Sequence, residues 1–151
     1  MSKARVVRDD GGVRYEWEND SISVRLGSAD TGGLYTLTED RMKPSFDLGP
    51  HFHRTHAETF QVLAGEIEFR VGPETIRAGA GTTVHVAPGI VHSARVLNGA
   101  PAHMLMIYAP AGFDAYLARL AALSEAESAD AAFLRRLDES FDLHMVERDR
   151  T

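Results

Sequence analysis

The sequence predicts an all-β chain folded as one antiparallel barrel or sandwich with a short helical tail. Three observations carry this. Short β-type runs broken by Gly, Pro, Asn and Asp fill most of residues 1 to 109. Within them apolar residues alternate with polar ones, as in Glu66-Ile-Glu-Phe-Arg-Val71. After Pro110 the apolar spacing becomes helical. At 151 residues and 44% apolar content, with no break in composition, the chain has room for a single domain, with the barrel over about 20–110 and the tail over about 112–142.

Taken in order, Ser21-Ile-Ser-Val-Arg-Leu26 and Gly33-Leu-Tyr-Thr-Leu-Thr-Glu39 read as the first strands. The stretch around His51 and His53 is extended, and Thr59 to Leu63 is expected to be its antiparallel partner. Gly65 marks a tight turn into the strand that buries Ile67, Phe69 and Val71. Residues 81 to 92 form a strand, a Pro88-Gly89 turn and the start of a new strand. Met104 and Met106 alternate with His103 and Leu105, so one set lines the interior. Phe113, Tyr116, Leu117 and Leu120 predict one tail helix, and Phe133, Leu134, Leu137 and Phe141 a second, with Ser124 and Glu127 as a capping box opening it.

Composition narrows the chemistry. The net charge is −6 and neither sign forms a long block, which speaks against a nucleic-acid partner. No apolar run approaches the roughly 20 residues that cross a bilayer, and the N-terminal residues do not resemble a secretory signal; a soluble, cytoplasmic protein without a membrane partner is expected. There is no cysteine, so His and carboxylate are the only strong metal ligands available.

Seven histidines then need explaining. On an extended strand His51 and His53 project to the same face, because side chains alternate with a period of two. Glu58 follows after a four-residue connection and can return to the same point. His92, just past the Pro88-Gly89 turn, is the fourth candidate, although spacing alone does not bring it there. A lone His-x-His is weak evidence of a metal site. His56 reads as a loop or rim residue, His85 and His103 as hydrogen-bonded structural histidines, and His144 as solvated.

These two stretches resemble the paired motifs of the cupin superfamily. His51, His53, Glu58 and Gly65 match the first, and Gly81, Gly89 and His92 the second, across a spacer of 15 residues. Two departures stand out. Ala87 occupies a position usually held by Pro, with Pro88 beside it, and Val96 stands where an Asn is common, with Asn98 two positions on. The flanks Asp30–Glu39 and Tyr108–Phe113 also resemble small one-domain cupins with a helical tail. The resemblance implies a cupin (jelly-roll) β-barrel and one divalent metal ion per chain on His51, His53, Glu58 and His92.

Three imidazoles and one carboxylate around a dication leave open positions for an anionic oxygen, and this ligand set does not choose among Fe, Mn, Ni, Co and Zn. The leading functional reading is a metal-dependent enzyme for a small aromatic or enolisable substrate. Small cupins with this set resemble quercetin-dioxygenase-type oxygenases first, and cyclases of aromatic polyketide assembly second. Lewis-acid isomerisation and non-catalytic small-molecule binding stay open. Glu58 is a candidate catalytic base as well as a ligand. The resemblance also implies a homodimer in which residues 1–27 cover a partner's sheet edge, with Trp17 as anchor.

Overall fold

In the computed structural model, residues 4–9 and 11–147 are described. Two antiparallel sheets face each other. The strands are β1 (Val13–Glu16), β2 (Asp20–Leu26), β3 (Thr36–Met42), β4 (Asp47–Phe52), β5 (Ala57–Ala64), β6 (Glu66–Val71), β7 (Glu74–Gly79), β8 (Thr83–Val86), β9 (His92–Val96), β10 (Ala102–Ala109) and β11 (His144–Met145). One sheet is six-stranded, in the order β1-β2-β3-β10-β5-β8, and the other five-stranded, β11-β4-β9-β6-β7. The fold is all-β, a cupin jelly roll with helices behind it.

Alternation along the strands decides what faces inward. In β10, Ala102, Met104, Met106 and Tyr108 are buried, so the methionine set lines the interior and His103, Leu105 and Ile107 point away. In β6, Ile67 and Phe69 are fully buried and Val71 partly so. Gly65 connects β5 to β6 at φ +77°, where a Cβ would lie 2.6 Å from the Pro101 carbonyl oxygen; only glycine fits this turn.

One expectation changes on the N-terminal side. Residues 33–35 are not strand, because a short helix α1 (Ser28–Thr31) ends on left-handed Gly32 and the strand starts at Thr36. Trp17 lies in the turn between β1 and β2 and stacks near Tyr15, with ring centroids 5.7 Å apart.

The tail contains α2 (Phe113–Ala121), α3 (Glu125–Ala129) and α4 (Ala131–Ser140). The Ser124–Glu127 capping box does form, but it opens the five-residue α3, while Asp130 caps α4 through a 2.9 Å bond from the Phe133 N–H. Leu117 of α2 packs, 1% exposed, against Ile22 and Val24 of β2. The Tyr116 hydroxyl donates to Asp138 at 2.8 Å and joins α2 to α4. Beyond α4 the chain re-enters the barrel: β11 pairs with β4, Met145 opposite His51 and His144 opposite Phe52. His144 is therefore not solvated as expected; its ring stacks on Phe52 at 5.0 Å.

Candidate metal centre

Two loops and three strands bring four side chains together across both sheets. His51, the last residue but one of β4, pairs in register with His92, the first residue of β9. Their rings lie 4.2 Å apart. The register between β4 and β9 shifts between Leu48 and His51, which re-aims the end of β4. His53 follows just after β4, and its carbonyl accepts a 2.6 Å bond from the N–H of Gly89, tying it to the Pro88-Gly89 turn. Glu58 comes from the opposite sheet. Thr59 to Leu63 is strand, as expected, but it is not the partner of β4: β5 pairs with β10 and β8, and Glu58 arrives by crossing between sheets through residues 53–56.

One ligand atom from each of His51, His53, Glu58 and His92 lies within 4.8 Å of every other. His51, Glu58 and His92 are each 3% exposed and His53 5%, so bulk water does not screen the cluster. The tautomers are fixed from behind. The Nδ1–H groups of His51, His53 and His92 donate to the carbonyl oxygens of Gly49 (2.9 Å), Asp142 (2.7 Å) and Ile90 (2.9 Å). All three Nε2 atoms are thereby left facing the common centre, where His92 Nε2 meets Glu58 Oε2.

Charges agree with this arrangement. Burial would push the Glu58 carboxyl up, but the adjoining His53 and His92 rings outweigh it and hold the group down at about 2. Burial and the neighbouring His92 pull His51 down to about 4, leaving a neutral ring. Burial disfavours a charged His53 too, yet Glu58 and Asp142 outweigh it and raise its pKa. His53 Nε2 is 3.3 Å from Glu58 Oε2 but is misaligned for a hydrogen bond and has no hydrogen-bond partner. A buried, aimed, unpartnered nitrogen is costly alone, and a dication at the centre would satisfy it. The cluster fits a divalent metal site.

The centre opens on a half-open cavity of about 250 Å³. Phe60, Ala94, Met104, Met106 and Tyr108 give it apolar walls, and Phe113, Tyr116 and Leu117 close it from the tail. Phe113 stacks on Tyr108 at 3.8 Å. Trp17 stands on the same wall, a role that strand patterning did not reveal. Asp20 and Asp40 also line the cavity, and the sequence reading singled out neither.

Outside the cavity, His56 is the rim residue expected. It sits in the β4–β5 loop, its Nδ1 2.9 Å from Asp142. His85 meets the Thr59 hydroxyl at 2.9 Å and His103 donates to Glu39 at 2.7 Å, the structural roles expected of them. Asp142 is the residue that sequence reasoning missed. Its carboxylate accepts from the N–H groups of Arg54 (2.8 Å), Thr55 (2.8 Å) and His56 (3.2 Å) and from the Thr55 hydroxyl (2.7 Å), while its carbonyl holds His53. An isolated Asp after a helix carries no motif that could have announced this.

Comparison with known proteins follows from this geometry. The family model described as the cupin domain matches residues 39–108, which contain all four clustered residues. Many solved structures share the fold. KdgF from Halomonas sp. has a TM-score of 0.64 at 14% identity, covering 74% of this chain and 99% of that one. A predicted oxalate decarboxylase from Thermotoga maritima gives 0.65 at 18%, covering 70% and 99%. An RmlC-like cupin from Shewanella frigidimarina gives 0.62 at 15%, covering 76% and 98%. A search of curated protein sequences finds no significant match. Residues 39–108 thus match the cupin domain, and the chain shares the fold of these structures. Among the described residues no helix is long and apolar enough to cross a membrane.

Proposed function

We propose that this cupin is a metal-dependent enzyme that takes a small aromatic or enolisable molecule into the barrel and binds it through an oxygen at His51, His53, Glu58 and His92. The observation that carries the reading is the set of three Nε2 atoms and one carboxylate, all buried and mutually within 4.8 Å, at the wall of an apolar cavity. A divalent ion, when bound, supplies a Lewis acid that favours the anionic form of a phenol, enol or carboxylate oxygen. The apolar walls position the rest of the substrate and exclude water. A cavity of about 250 Å³ is smaller than the roughly 300–1,000 Å³ of drug-sized sites, which supports a substrate of one or two rings.

Two reactions begin from such an oxyanion. Dioxygenation of the quercetinase type is the leading proposal. Proton return to carbon, as in a cyclase or isomerase, is the second, and the carboxyls of Asp20 and Asp40 in the wall favour it. Glu58 is proposed as a ligand, and as a base only if it leaves the ion; a Glu58→Gln protein with full metal and full turnover would remove both roles. A homodimer is proposed on the exposed edge strand β1, whose Val13 is 55% exposed.

The test is oxygen uptake by protein loaded in turn with Fe(II), Mn(II), Ni(II), Co(II) and Zn(II), using flavonol, catechol and enediol substrates. Stoichiometric uptake with a redox-active ion supports the oxygenase. Anaerobic turnover supports the second reaction, and ligand binding without turnover of any probe would leave a binding protein.

A further inference from the structure

The cavity contains two carboxyls that the metal centre does not explain. Asp40 on β3 is 2% exposed and Asp20 on β2 is 5% exposed, and both line the cavity. The register pairs Ile22 with Asp40 and Asp20 with Met42, so the two acids are diagonal neighbours on the inner face, with Cβ atoms roughly 7–8 Å apart or less. Asp40 accepts from the Thr38 hydroxyl at 2.8 Å, and Asp20 from the Ser21 N–H at 2.8 Å. Among the described residues neither forms an ion pair. Lys43, the cation that acts on Asp20, donates its ammonium to the Trp17 carbonyl at 2.8 Å.

Two carboxyls in an apolar wall are costly, and both lose their charge readily. Burial, then Asp20, raises Asp40 well above the ordinary range, with Glu58 and Glu39 adding to the rise and Thr38 opposing it. Burial raises Asp20 to about 6, with Glu16 adding and Ser21 and Lys43 opposing. Tyr108, on the same wall, is also pushed up by burial and remains a neutral phenol. Both carboxyls are therefore poised to hold a proton at higher pH than an ordinary carboxyl does.

We propose that Asp20 and Asp40 are the acid–base pair of the cavity, with Asp40 exchanging a proton with a substrate carbon while the substrate's oxygen is held at the metal centre. This rests on the metal-site reading and deepens it. Asp40 lies two strands from Glu58 and four residues further along the barrel, since Asp40 is opposite Met104 and Glu58 opposite Tyr108 on β10, the strand between. An extended conjugated molecule with its oxygen at the histidines presents a vinylogous carbon, rather than its α carbon, to that end of the cavity. The unprotonated carboxylate takes a proton from carbon, and the C–H electron pair becomes the C=C bond of an enolate whose charge resides on oxygen. The carboxylic acid so formed returns a proton to carbon, and the C–H bond re-forms. No oxidant or co-reactant is consumed.

The test is anaerobic hydrogen exchange in D₂O, followed by proton NMR, on Zn(II)- or Mn(II)-loaded protein with 2-oxo-3-pentenoate, 2-oxo-3-hexenoate and 3-methylcyclohex-2-enone, whose vinylogous protons exchange, as probes. Metal content is measured on the same samples. Wild-type protein is expected to exchange at least one probe at least tenfold faster than the free ion. Asp40→Asn is expected to lose at least tenfold in that rate with metal content unchanged, and Asp20→Asn to shift its pH profile by about one unit without abolishing it. Exchange at the wild-type rate and pH profile in both variants would overturn the proposal. So would no exchange of any probe by wild-type protein; one metal per chain in that sample would leave the metal-site reading standing, whereas no metal would remove both.

Discussion

Replacing Asp142 tests whether the tail positions the metal centre. The side chain gathers three backbone N–H groups and the Thr55 hydroxyl, and it also meets His56 Nδ1 at 2.9 Å. Its backbone is left-handed, at φ 64°. In Asp142→Ala the β4–β5 loop loses charge-assisted bonds worth about 1.5–3 kcal/mol each before non-additivity, and alanine in that conformation costs about 1–2 kcal/mol more. The side chain is 16% exposed, so solvent recovers part of the loss, and a net destabilisation of about 3–5 kcal/mol is expected. For a chain of 151 residues this lowers Tm by at least about 6 °C. Asp142→Asn tolerates the left-handed backbone and keeps one acceptor, so its loss is expected to be about 1–2 kcal/mol. The same residue's backbone carbonyl fixes the His53 tautomer; with the side-chain anchors gone and alanine disfavouring the left-handed backbone, that carbonyl shifts, and Asp142→Ala should weaken Zn(II) or Mn(II) binding by about 10–100-fold. The hydrogen bonds hold the Asp142 carboxyl below its ordinary range against the opposing effect of burial. Its stabilisation is thus present above the unfolded carboxylate range and fades as pH falls below it, so the variant's deficit narrows in acid. Melting curves from pH 3 to 8 and calorimetric metal titration are the assays. A variant that melts with wild type and binds metal equally would refute the coupling of tail and site.

Three further outcomes follow from the packing. Asp20 is raised to about 6 from 3.8, so the native state holds the proton more tightly than the unfolded chain. Its contribution is favourable below about pH 4 and is lost as pH rises through about 6, and Asp20→Asn should stabilise the metal-free protein at pH 7.5 by up to about 3 kcal/mol and not at pH 3.5; denaturant titration at both pH values checks it. Gly65→Ala should cost at least about 2 kcal/mol in the same assay, since its Cβ meets backbone at 2.6 and 2.7 Å. Leu117→Ala should cost about 2–4 kcal/mol and make the cavity accessible to a hydrophobic dye, because α2 both packs on β2 and closes the cavity.

Local chemistry made much of this legible in the sequence. Period-two alternation announced the buried faces of β6 and β10, and helical spacing announced α2 and α4. The four clustered residues were readable because two turns, at Gly65 and Pro88-Gly89, stand at fixed distances from the histidines. What escaped was long-range. Whether β5 pairs with β4 or crosses to the other sheet depends on contacts with β10, more than 40 residues later. Residues 144–145 are too few to show alternation, yet β11 completes the edge beside His51. Asp20, Asp40 and Asp142 sit in ordinary polar surroundings along the chain, and only the fold shows that two of them are buried in an apolar wall and that the third holds the loop behind His53.

The most direct test of the metal centre is elemental analysis of protein purified without chelator or a metal-affinity column, beside His51→Ala and His92→Ala. About one divalent ion per wild-type chain, lost from both variants while they remain folded, is the predicted result. Wild-type protein that carries no ion and takes none up on reconstitution would contradict the account.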